Sequence, residues 1–336
     1  MTARTLSFTG PRSLEVRRRP IPDPGPGELR VRTETSAISA GTEGLLYRGE
    51  APTTLPADES LDALEGDLSY PLAYGYAAVG VVTAVGEGVD DALLDRRVFA
   101  YNPHESHFLA RPDDLLPVPE SVSAREAALF ANLESAITFS LDGDPTLGER
   151  VVVFGQGVVG LLTTALLAES PLETLVTVDH HASRRELSRE FGADRSLDPE
   201  RDVAGELEDL SGSRADLSYE LSGNPEALND AIAATGFDGR IVVGSWYGEK
   251  SAPLELGGRF HRDRIDVHSS QVSTIAPRLE GRWSRERRHE LTWEWLSRLD
   301  LEGLFTHEFP LERAEEAYRS LEERPDEAIQ VFLTYR

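Results

Sequence analysis

Apolar residues follow two different spacings along the chain, and the change comes near residue 123. Before it, short apolar runs alternate with polar residues and are broken by Gly and Pro, as in LRVRTETSAIS and AAVGVVTAVG. This spacing is typical of short β-strands joined by turns. After it, SAREAALFANLESAITFSL has the spacing of a helix, with Ser123 and Glu126 in a capping-box pattern. From residue 150 onward, near-continuous apolar runs such as RVVVFG alternate with segments of helical period such as VVGLLTTALLAES. The second pattern predicts an α/β unit with a doubly wound parallel sheet.

The chain is long for a single hydrophobic core, so two domains are expected from its 336 residues. We predict a β-rich domain formed by residues 1–128 together with 270–336, and an α/β domain formed by residues 129–269. The polar, acidic segment 51–69 is expected to be a surface excursion of the first domain.

Charge sets this chain apart from an average one. It carries 59 acidic against 34 basic residues, a net charge of -25, and Lys250 is its one lysine. The acids are dispersed, which favours a solubilising shell suited to a salt-rich cytoplasm; an acidic surface for a cationic partner is the alternative. Such a surface repels a phosphate backbone, so we expect no nucleic-acid partner.

Composition also bounds the compartment and the chemistry. No window approaches the ~18 consecutive apolar residues of a membrane span, and the N-terminal MTARTLSFTGPRS lacks the apolar core of a signal peptide. We therefore expect a cytoplasmic protein without a membrane partner. The chain has no cysteine, which excludes disulfides, a thiolate nucleophile and a cysteine-ligated metal.

A glycine-rich turn follows the predicted strand RVVVF and opens a predicted helix. Gly155, Gly157 and Gly160, with Val158 and Val159 between the last two, fit the GxGxxG pattern of dinucleotide-binding turns. The three glycines serve a tight turn, backbone approach to a pyrophosphate, and close packing of helix on strand. The helix N-terminus then offers N–H groups to the phosphates. Because the strand and helix context is present, we predict a nicotinamide dinucleotide site.

Asp179 ends the next predicted strand, LETLVTVD. A carboxylate there accepts hydrogen bonds from the adenosine ribose and repels a 2′-phosphate, which favours NAD(H) over NADP(H). Two points keep the choice open: Asp179 is also a reasonable turn residue, and the nearby Arg184 could hold a 2′-phosphate.

Two further pairs of small residues end predicted strands of the same sheet. The carboxyl ends of parallel strands line the cofactor crevice of a doubly wound sheet. The candidates for the nicotinamide half are therefore Ser222, Gly223, Gly244 and Ser245.

The order of these segments resembles the medium-chain dehydrogenase/reductase superfamily. AYGYAAVGVVTAVGEGVDDALLDRRV is similar to the superfamily's segment that begins Gly-His-Glu, and the resemblance covers nearly the whole chain. It implies a GroES-like β-barrel catalytic domain beside a Rossmann domain, with the active site in the cleft between them. It also implies an NAD(P)-linked oxidoreductase with a small-molecule substrate, assembled as a homodimer or homotetramer.

The chain departs from the zinc-dependent members where their metal ligands lie. Their Cys-Gly-Ile-Cys-like turn is SAIS at residues 36–39, their Gly-His-Glu is GYA at residues 75–77, and their third ligand falls near ANLE at residues 131–134. Hydroxyl and phenol groups do not ordinarily replace thiolate and imidazole as zinc ligands. We therefore expect no zinc and no other metal.

Two segments, SAISAGTEGLLYRG and FHRDRIDVHSSQVSTIAPRLEGRW, resemble a zinc-free subgroup that contains bacteriochlorophyllide hydroxyethyl dehydrogenase. That subgroup is broad, so its tetrapyrrole substrate is not carried over. The same alignment implies that Gln271 reaches the nicotinamide amide; otherwise this segment is the ordinary return into the first domain.

Without zinc, hydroxyls, amides or a histidine must handle the alcohol proton and steady the alkoxide. The positions that the resemblance places at the active site give five catalytic candidates: Ser39, Thr42, Glu43, Tyr76 and His104. An unperturbed phenol has a pKa of about 10, so Tyr76 suits carbonyl reduction as a proton donor.

The other candidates admit two interpretations each. Glu43 is either a buried orienting carboxylate or a turn residue. His104 is either a proton relay or a surface imidazole, and a metal site with His107 is the less favoured reading of PHESH.

These inferences predict a zinc-independent NAD(P)-linked oxidoreductase that moves a hydride between nicotinamide and an alcohol/ketone pair. Two alternatives remain: a zinc-free enoyl or quinone reductase acting on an activated C=C bond, and a non-catalytic dinucleotide-binding redox sensor.

Overall fold

The computed structural model describes residues 1–57, 64 and 66–335. Its strands are β1 Thr2–Gly10, β2 Ser13–Pro20, β3 Leu29–Ala37, β4 Ala78–Val85, β5 Arg97–Ala100, β6 His107–Ala110, β7 Leu115–Pro117, β8 Arg150–Phe154, β9 Thr174–Val178, β10 Arg195–Leu197, β11 Ala215–Glu220, β12 Thr235–Val243, β13 Asp266–Ser269, β14 Phe305–Pro310 and β15 Gln330–Thr334.

Its α-helices are α1 Thr42–Arg48, α2 Ala124–Ala128, α3 Phe130–Gly143, α4 Val158–Ala168, α5 Ala182–Glu190, α6 Val203–Ser211, α7 Ala227–Ala234, α8 Arg285–Leu296 and α9 Ala314–Glu323. Short 3₁₀ turns and one π-helical segment, Leu256–Phe260, join some of these elements.

The chain divides into two compact units. The first unit comprises Met1–Ala131 and Trp293–Arg336, and the second comprises Asn132–Thr292. The sequence placed the corresponding changes at residues 129 and 270. The second unit is therefore inserted, in sequence, within the first.

The second unit is built on a parallel sheet with the strand order β10-β9-β8-β11-β12-β13. Both faces are buried because β8 sends Val152 and Phe154 into one apolar cluster and Val151 and Val153 into another. This explains why the strand is a continuous apolar run in the sequence. The order reverses between β8 and β11, and such a reversal is where open α/β sheets bind ligands. The predicted doubly wound sheet is confirmed.

The first unit contains the β1–β2 hairpin and a mixed sheet with the path β14-β15-β3-β4-β5-β7, in which β6 also pairs with β3. Alternating residues of β3 and β4, such as Val31 and Val82, point into one cluster with Phe108. A second cluster joins β1 to helices α1 and α9 through Phe8, Leu46 and Tyr318 and their neighbours. These clusters fix the ends of β3, α1 and β15 against one another.

Two local expectations need correction. The helix predicted from Ser123 onward is two helices, since Leu129 leaves helical geometry with φ -83° and ψ 2°; the capping box of Ser123 and Glu126 is confirmed. The surface excursion at 51–69 is wrong for Leu64 and Leu68, which are buried in the first unit's core. Residues 58–63 and 65 of that segment lie outside the described residues.

No helix among the described residues is long and apolar enough to cross a membrane.

Candidate functional site

The glycine-rich turn lies where the sheet order reverses. Gly155 follows β8 with φ +89°, and a Cβ on it would lie 2.5 Å from the Cα of Ser222 at the end of β11. A Cβ on Gly160 would lie 2.0 Å from the carbonyl oxygen of Gly155. Side chains are thus excluded by backbone at both positions, and the turn joins the two strand ends that the sequence predicted as cofactor-binding.

The same turn leaves room for a ligand above it. Gly157 is the N-cap of α4, with Val158 and Val159 in the first turn. Among the described residues, the heavy atom nearest to a Cβ on Gly157 is the Nη1 of Arg184, at 4.0 Å. An open cradle at a helix N-terminus with a guanidinium beside it fits the phosphates of a dinucleotide.

Asp179 follows β9 and is almost fully buried. Its Oδ2 accepts the backbone N–H of Gln156 at 2.8 Å, and its Oδ1 accepts that of His181 at 2.8 Å. The carboxylate is therefore held against the glycine-rich turn. Each oxygen keeps further lone-pair capacity for ribose hydroxyls.

The predicted strand-end residues also come together. The backbone N–H of Gly223 donates to the Oγ of Ser245 at 2.9 Å, which links the end of β11 to the segment Gly244-Ser245 after β12. The sequence missed Glu220 beneath this link. Its carboxylate is fully buried and accepts the N–H of Ser222 at 2.8 Å.

Tyr247, which also follows β12, makes a further contact with Glu220. Its hydroxyl donates to the Oε2 of Glu220, and burial, with the adjacent Glu220 carboxylate, raises the pKa of Tyr247 above its ordinary value. No local sequence signal marks Tyr247, because the contact depends on how two loops pair.

Gln271 forms hydrogen bonds with Ser273 instead of with the strand-end residues. It is exposed, its Nε2 donates to the Oγ of Ser273 at 2.6 Å, and its Oε1 accepts the N–H of Ser273 at 2.7 Å. Its implied reach to a nicotinamide amide stays a prediction.

In the first unit, three predicted residues form what we call the hydroxyl cluster: Ser39, Thr42 and Tyr76. Ser39 follows β3, Thr42 opens α1, and Tyr76 precedes β4. The Tyr76 hydroxyl donates to the Oγ of Ser39 and lies 3.4 Å from the Oγ1 of Thr42. All three side chains are partly exposed. Three hydroxyl-bearing side chains thus lie together at one partly exposed place.

Glu43 and His104 form a fully buried pair next to the cluster. The Nε2 of His104 lies 2.9 Å from the Oε2 of Glu43, and both side chains have 0% exposure. The other carboxylate oxygen, Oε1, accepts the backbone N–H of Ser39 at 2.8 Å. Glu43 is thus a buried carboxylate bonded to His104 and to the backbone of Ser39, and His104 is not a surface imidazole.

The pair extends into a longer chain of buried polar groups, here called the buried relay: Glu43, His104, Ser36 and Tyr335. The Oγ of Ser36 lies 2.7 Å from the Nδ1 of His104 and 2.7 Å from the hydroxyl of Tyr335. A side branch comes from α9, where the Tyr318 hydroxyl donates to the Oε2 of Glu43. Burial and the Glu43 charge raise the pKa of Tyr318, so it remains a donor.

The sequence missed the two tyrosines of this network because both are far along the chain. Tyr318 is 275 residues from Glu43, and Tyr335 is 299 residues from Ser36. Ser36 is the first serine of the SAIS turn, and Ser39, the second, is the catalytic candidate. A polar residue in the otherwise buried pattern of β3 is the signal that could have found it.

The donor set around the hydroxyl cluster does not fit a zinc site. Ser39 and Tyr76 are hydroxyl donors bonded to each other, and the Glu43 carboxylate is occupied by Ser39, His104 and Tyr318. Zinc in proteins takes thiolate, imidazole and carboxylate ligands. Within the described ranges, no three His, Asp or Glu side chains are grouped so that they could hold a metal ion.

Glu134, the acid near the predicted third ligand position, pairs with two basic side chains. Its Oε1 accepts the Nη2 of the buried Arg288 at 2.7 Å and lies 3.1 Å from the Nε2 of His289. His107, the second histidine of PHESH, lies 3.2 Å from the Oγ of Ser106, whereas His104 bonds to Ser36 and Glu43.

Comparison with known proteins finds similarity to dehydrogenases. Residues 158–284 match the family model described as zinc-binding dehydrogenase. The starvation-sensing protein RspB of Escherichia coli K12 is 23% identical over 99% of both chains. D-guloside 3-dehydrogenase of the same strain is 25% identical over 92% of this chain and 93% of its own. Sorbitol dehydrogenase of Gallus gallus is 25% identical over 91% and 90%.

Solved structures share the fold over the full length. RspB from E. coli CFT073, complexed with NADH, superposes with a TM-score of 0.80 at 22% identity, covering 99% of each chain. A 2R,3R-butanediol dehydrogenase from Bacillus subtilis gives 0.82 at 18% identity, covering 99% of this chain and 100% of its own. An NADP-bound zinc-binding dehydrogenase candidate from Sinorhizobium meliloti 1021 gives 0.78 at 19%, covering 99% of each.

These likenesses confirm the predicted fold class, a GroES-like barrel with a Rossmann domain. The named dehydrogenases among these relatives support NAD(P)-dependent dehydrogenase activity for the chain. Within that class, the matches support the zinc-binding dehydrogenase family, on the side of the alcohol and sorbitol dehydrogenases.

Proposed function

We propose that this protein is a zinc-independent, NAD(H)-linked oxidoreductase that interconverts an alcohol and a ketone. The observation that carries the proposal is the hydroxyl cluster, in which Tyr76 donates a hydrogen bond to Ser39; the family resemblance assigns these two positions to zinc ligands. A buried carboxylate, Glu43, fixes the backbone of Ser39. Hydroxyls aimed at one point replace the charge stabilisation that a metal gives elsewhere.

The second unit would hold the cofactor, which supplies or accepts the hydride when bound. The N–H groups at the start of α4 bind the pyrophosphate, since Gly157 leaves the cradle above them open. Asp179 accepts the ribose hydroxyls, because the glycine-rich turn already orients its carboxylate. An anion at this position disfavours a 2′-phosphate, which is why NAD(H) is preferred in the proposal.

The hydroxyl cluster handles the proton. In carbonyl reduction the Tyr76 O–H turns from Ser39 to the carbonyl oxygen and donates its proton there as the alkoxide forms. Ser39 and Thr42 donate hydrogen bonds to the same oxygen and steady its charge. Reduction leaves a Tyr76 phenolate, which regains a proton from solvent. In alcohol oxidation the phenolate accepts the hydroxyl proton of the substrate and is regenerated when that proton passes to solvent or a base.

The names of the relatives support the substrate class. D-guloside 3-dehydrogenase and sorbitol dehydrogenase are named for sugar-derived alcohols, which carry several neighbouring hydroxyls. A cluster of three protein hydroxyls offers both donors and acceptors to such a substrate. We therefore propose a secondary alcohol in a polyhydroxylated molecule.

A cofactor and substrate panel in molar KCl tests the proposal. Purified protein is incubated with NADH or NADPH and with sugar ketones, simple ketones, quinones or enones, and absorbance of the reduced cofactor is followed. We expect NADH-dependent reduction of a ketone. Turnover confined to quinones or enones would establish the C=C reductase instead, and tight cofactor binding with no turnover would favour the redox sensor.

Zinc independence has its own measurement. Metal analysis of the same preparation should find no stoichiometric zinc, and a strong chelator should leave the rate unchanged. One zinc per chain with chelator-sensitive turnover would disprove the metal-free mechanism while leaving the dehydrogenase assignment intact.

A further inference from the structure

We propose that Tyr335 is a positioning residue that acts through Ser36 to hold His104 in one neutral tautomer, with the proton on Nε2. The three side chains lie in series, with 2.7 Å between the Tyr335 hydroxyl and Ser36 Oγ and 2.7 Å between Ser36 Oγ and His104 Nδ1. The part of this inference that concerns catalysis rests on the proposed function; the tautomer itself does not.

Counting protons fixes the direction of the series. Burial raises the pKa of Tyr335, so its hydroxyl stays protonated and needs an acceptor. Within the described part of the chain, that acceptor is Ser36 Oγ. A serine hydroxyl has one proton, so Ser36 then donates it to His104. The Nδ1 of His104 must be bare to accept it, and the remaining ring proton lies on Nε2.

The contact between His104 and Glu43 agrees with hydrogen bonds donated from Tyr335 toward His104. His104 Nε2 faces the Oε2 of Glu43 at 2.9 Å, and a carboxylate requires a donor there. An imidazolium would also donate to Glu43, but its Nδ1–H would then donate to Ser36 Oγ together with the Tyr335 hydroxyl. Among the described residues, the buried Ser36 proton would be left without an acceptor, which is unfavourable.

The groups around the relay fit a neutral ring beside one carboxylate. Glu43 takes further hydrogen bonds from Tyr318 and from the N–H of Ser39. Outside the relay, the charged and titratable groups that act on its tyrosines are Glu105, Arg4 and Tyr76. Glu105 is itself paired with Arg19 at 2.9 Å.

The consequence reaches the hydroxyl cluster. While His104 donates to the Oε2 of Glu43, the Oε1 of the same carboxylate accepts the N–H of Ser39 at 2.8 Å. Tyr335 thereby fixes the place of Ser39, although it does not touch Ser39 itself.

The test reads the tautomer directly on the full chain. The protein is labelled with ¹⁵N at its 8 histidines, and the ring signals are followed by NMR between about pH 5 and pH 8. His104→Gln assigns the His104 signals by their loss. In the unsubstituted protein we expect one protonated Nε2 signal and one bare Nδ1 signal at neutral pH. In Tyr335→Phe we expect the bare Nδ1 signal to be lost in favour of mixed tautomers or a charged ring.

Tyr47→Phe is the matched control. Tyr47 is a buried tyrosine that packs on Tyr318 at 5.4 Å between ring centroids, and it takes no part in the relay. We expect its substitution to leave the His104 signals unchanged. An Nδ1–H or doubly protonated His104 in the unsubstituted protein would overturn the inference, and so would unchanged His104 signals in Tyr335→Phe.

Kinetics test the catalytic part separately. With a ketone identified by the panel, Tyr335→Phe should lower kcat by about 10- to 100-fold, as small misplacements near the chemistry do, without changing KM for NADH. An unchanged kcat would overturn the positioning role. Absence of any turnover in the unsubstituted protein would count against the proposed function and leave the NMR result standing.

Discussion

Tyr76 combines access and support in a way that Tyr318 and Tyr335 do not. Tyr76 is partly exposed and its hydroxyl is bonded to Ser39, whereas Tyr318 and Tyr335 are buried. A phenol that can reach solvent and a substrate is a competent proton donor. The chemistry proposed above depends on this one oxygen.

Removing that oxygen should stop proton delivery without disturbing the fold. For Tyr76→Phe we expect kcat for ketone reduction to fall by about 10²- to 10⁴-fold, the usual contribution of a general acid. Binding of NADH, measured by fluorescence titration, should be unchanged. Tyr74→Phe is the control, because Tyr74 packs edge-on against Tyr76 at 6.1 Å but is itself buried. Equal losses in both variants would contradict the assignment.

Asp179 controls the choice of cofactor in the proposed function. Asp179→Ser removes the negative charge but keeps a small polar side chain, so the ratio of the NADPH to the NADH dissociation constant should fall by at least about tenfold. Glu190→Ser, an exposed acid at the end of the same helix that follows Asp179, is a charge-matched control. A chain that already binds NADPH more tightly than NADH would refute the assignment.

The sequence could nominate residues of the site but could not pair them. Glu43 and His104 were candidates for separate reasons, and their contact spans 61 positions that no local period connects. The hydroxyl cluster was closer to prediction, since a family resemblance placed Ser39 and Tyr76 at one former metal site. Tyr335 carried no signal at all, because its role exists only once β15 lies beside β3.

At the scale of elements, the strand and helix periods predicted the second unit well because each strand is buried on both faces. The segment before it was harder. Helices α2 and α3 appear as one helical period, and only the geometry at Leu129 separates them. Leu64 and Leu68 were misjudged because two apolar residues in an acidic stretch do not form a period.

The start of α2 gives a prediction for an element. Ser123 accepts the N–H of Glu126 at 3.3 Å, and the Glu126 carboxylate accepts the N–H of Ser123 at 2.6 Å. Ser123→Ala should lower the free energy of unfolding by about 1 kcal/mol, as cap removal does. Urea denaturation measures it, with the exposed Ser121→Ala as control. Equal stability of the two variants would show that the cap does not stabilise α2.

At the scale of the whole molecule, charge dominates. Most ion pairs link arginines to acids at or near the surface, for example Arg12 with Glu322 and Arg313 with Glu316. Exposed pairs of this kind contribute little, and they leave the net charge of -25 uncompensated. We therefore propose that the protein is adapted to high salt, where mutual repulsion of its acids is screened.

Salt should accordingly stabilise the protein. Raising KCl from about 0.1 M to about 1 M shortens the Debye length from about 10 Å to about 3 Å, which weakens the longer-range repulsion among the acids more than it weakens the pairs in contact. The urea midpoint should rise with KCl. Tetramethylammonium chloride at equal ionic strength separates screening from specific binding of potassium. A midpoint that falls in KCl would contradict the proposed adaptation.

The buried relay also determines the order in which the two candidate sites can form during translation. Ser36 meets Tyr335 across 299 positions, and the whole second unit is translated between them. Domains fold largely as units while the chain emerges from the ribosome, so the dinucleotide turn can form while β3 still lacks β15. A nascent chain would thus be able to bind a cofactor before it can position Ser39. A nucleotide bound at that stage would not transfer its hydride, because the hydroxyl cluster is not yet assembled.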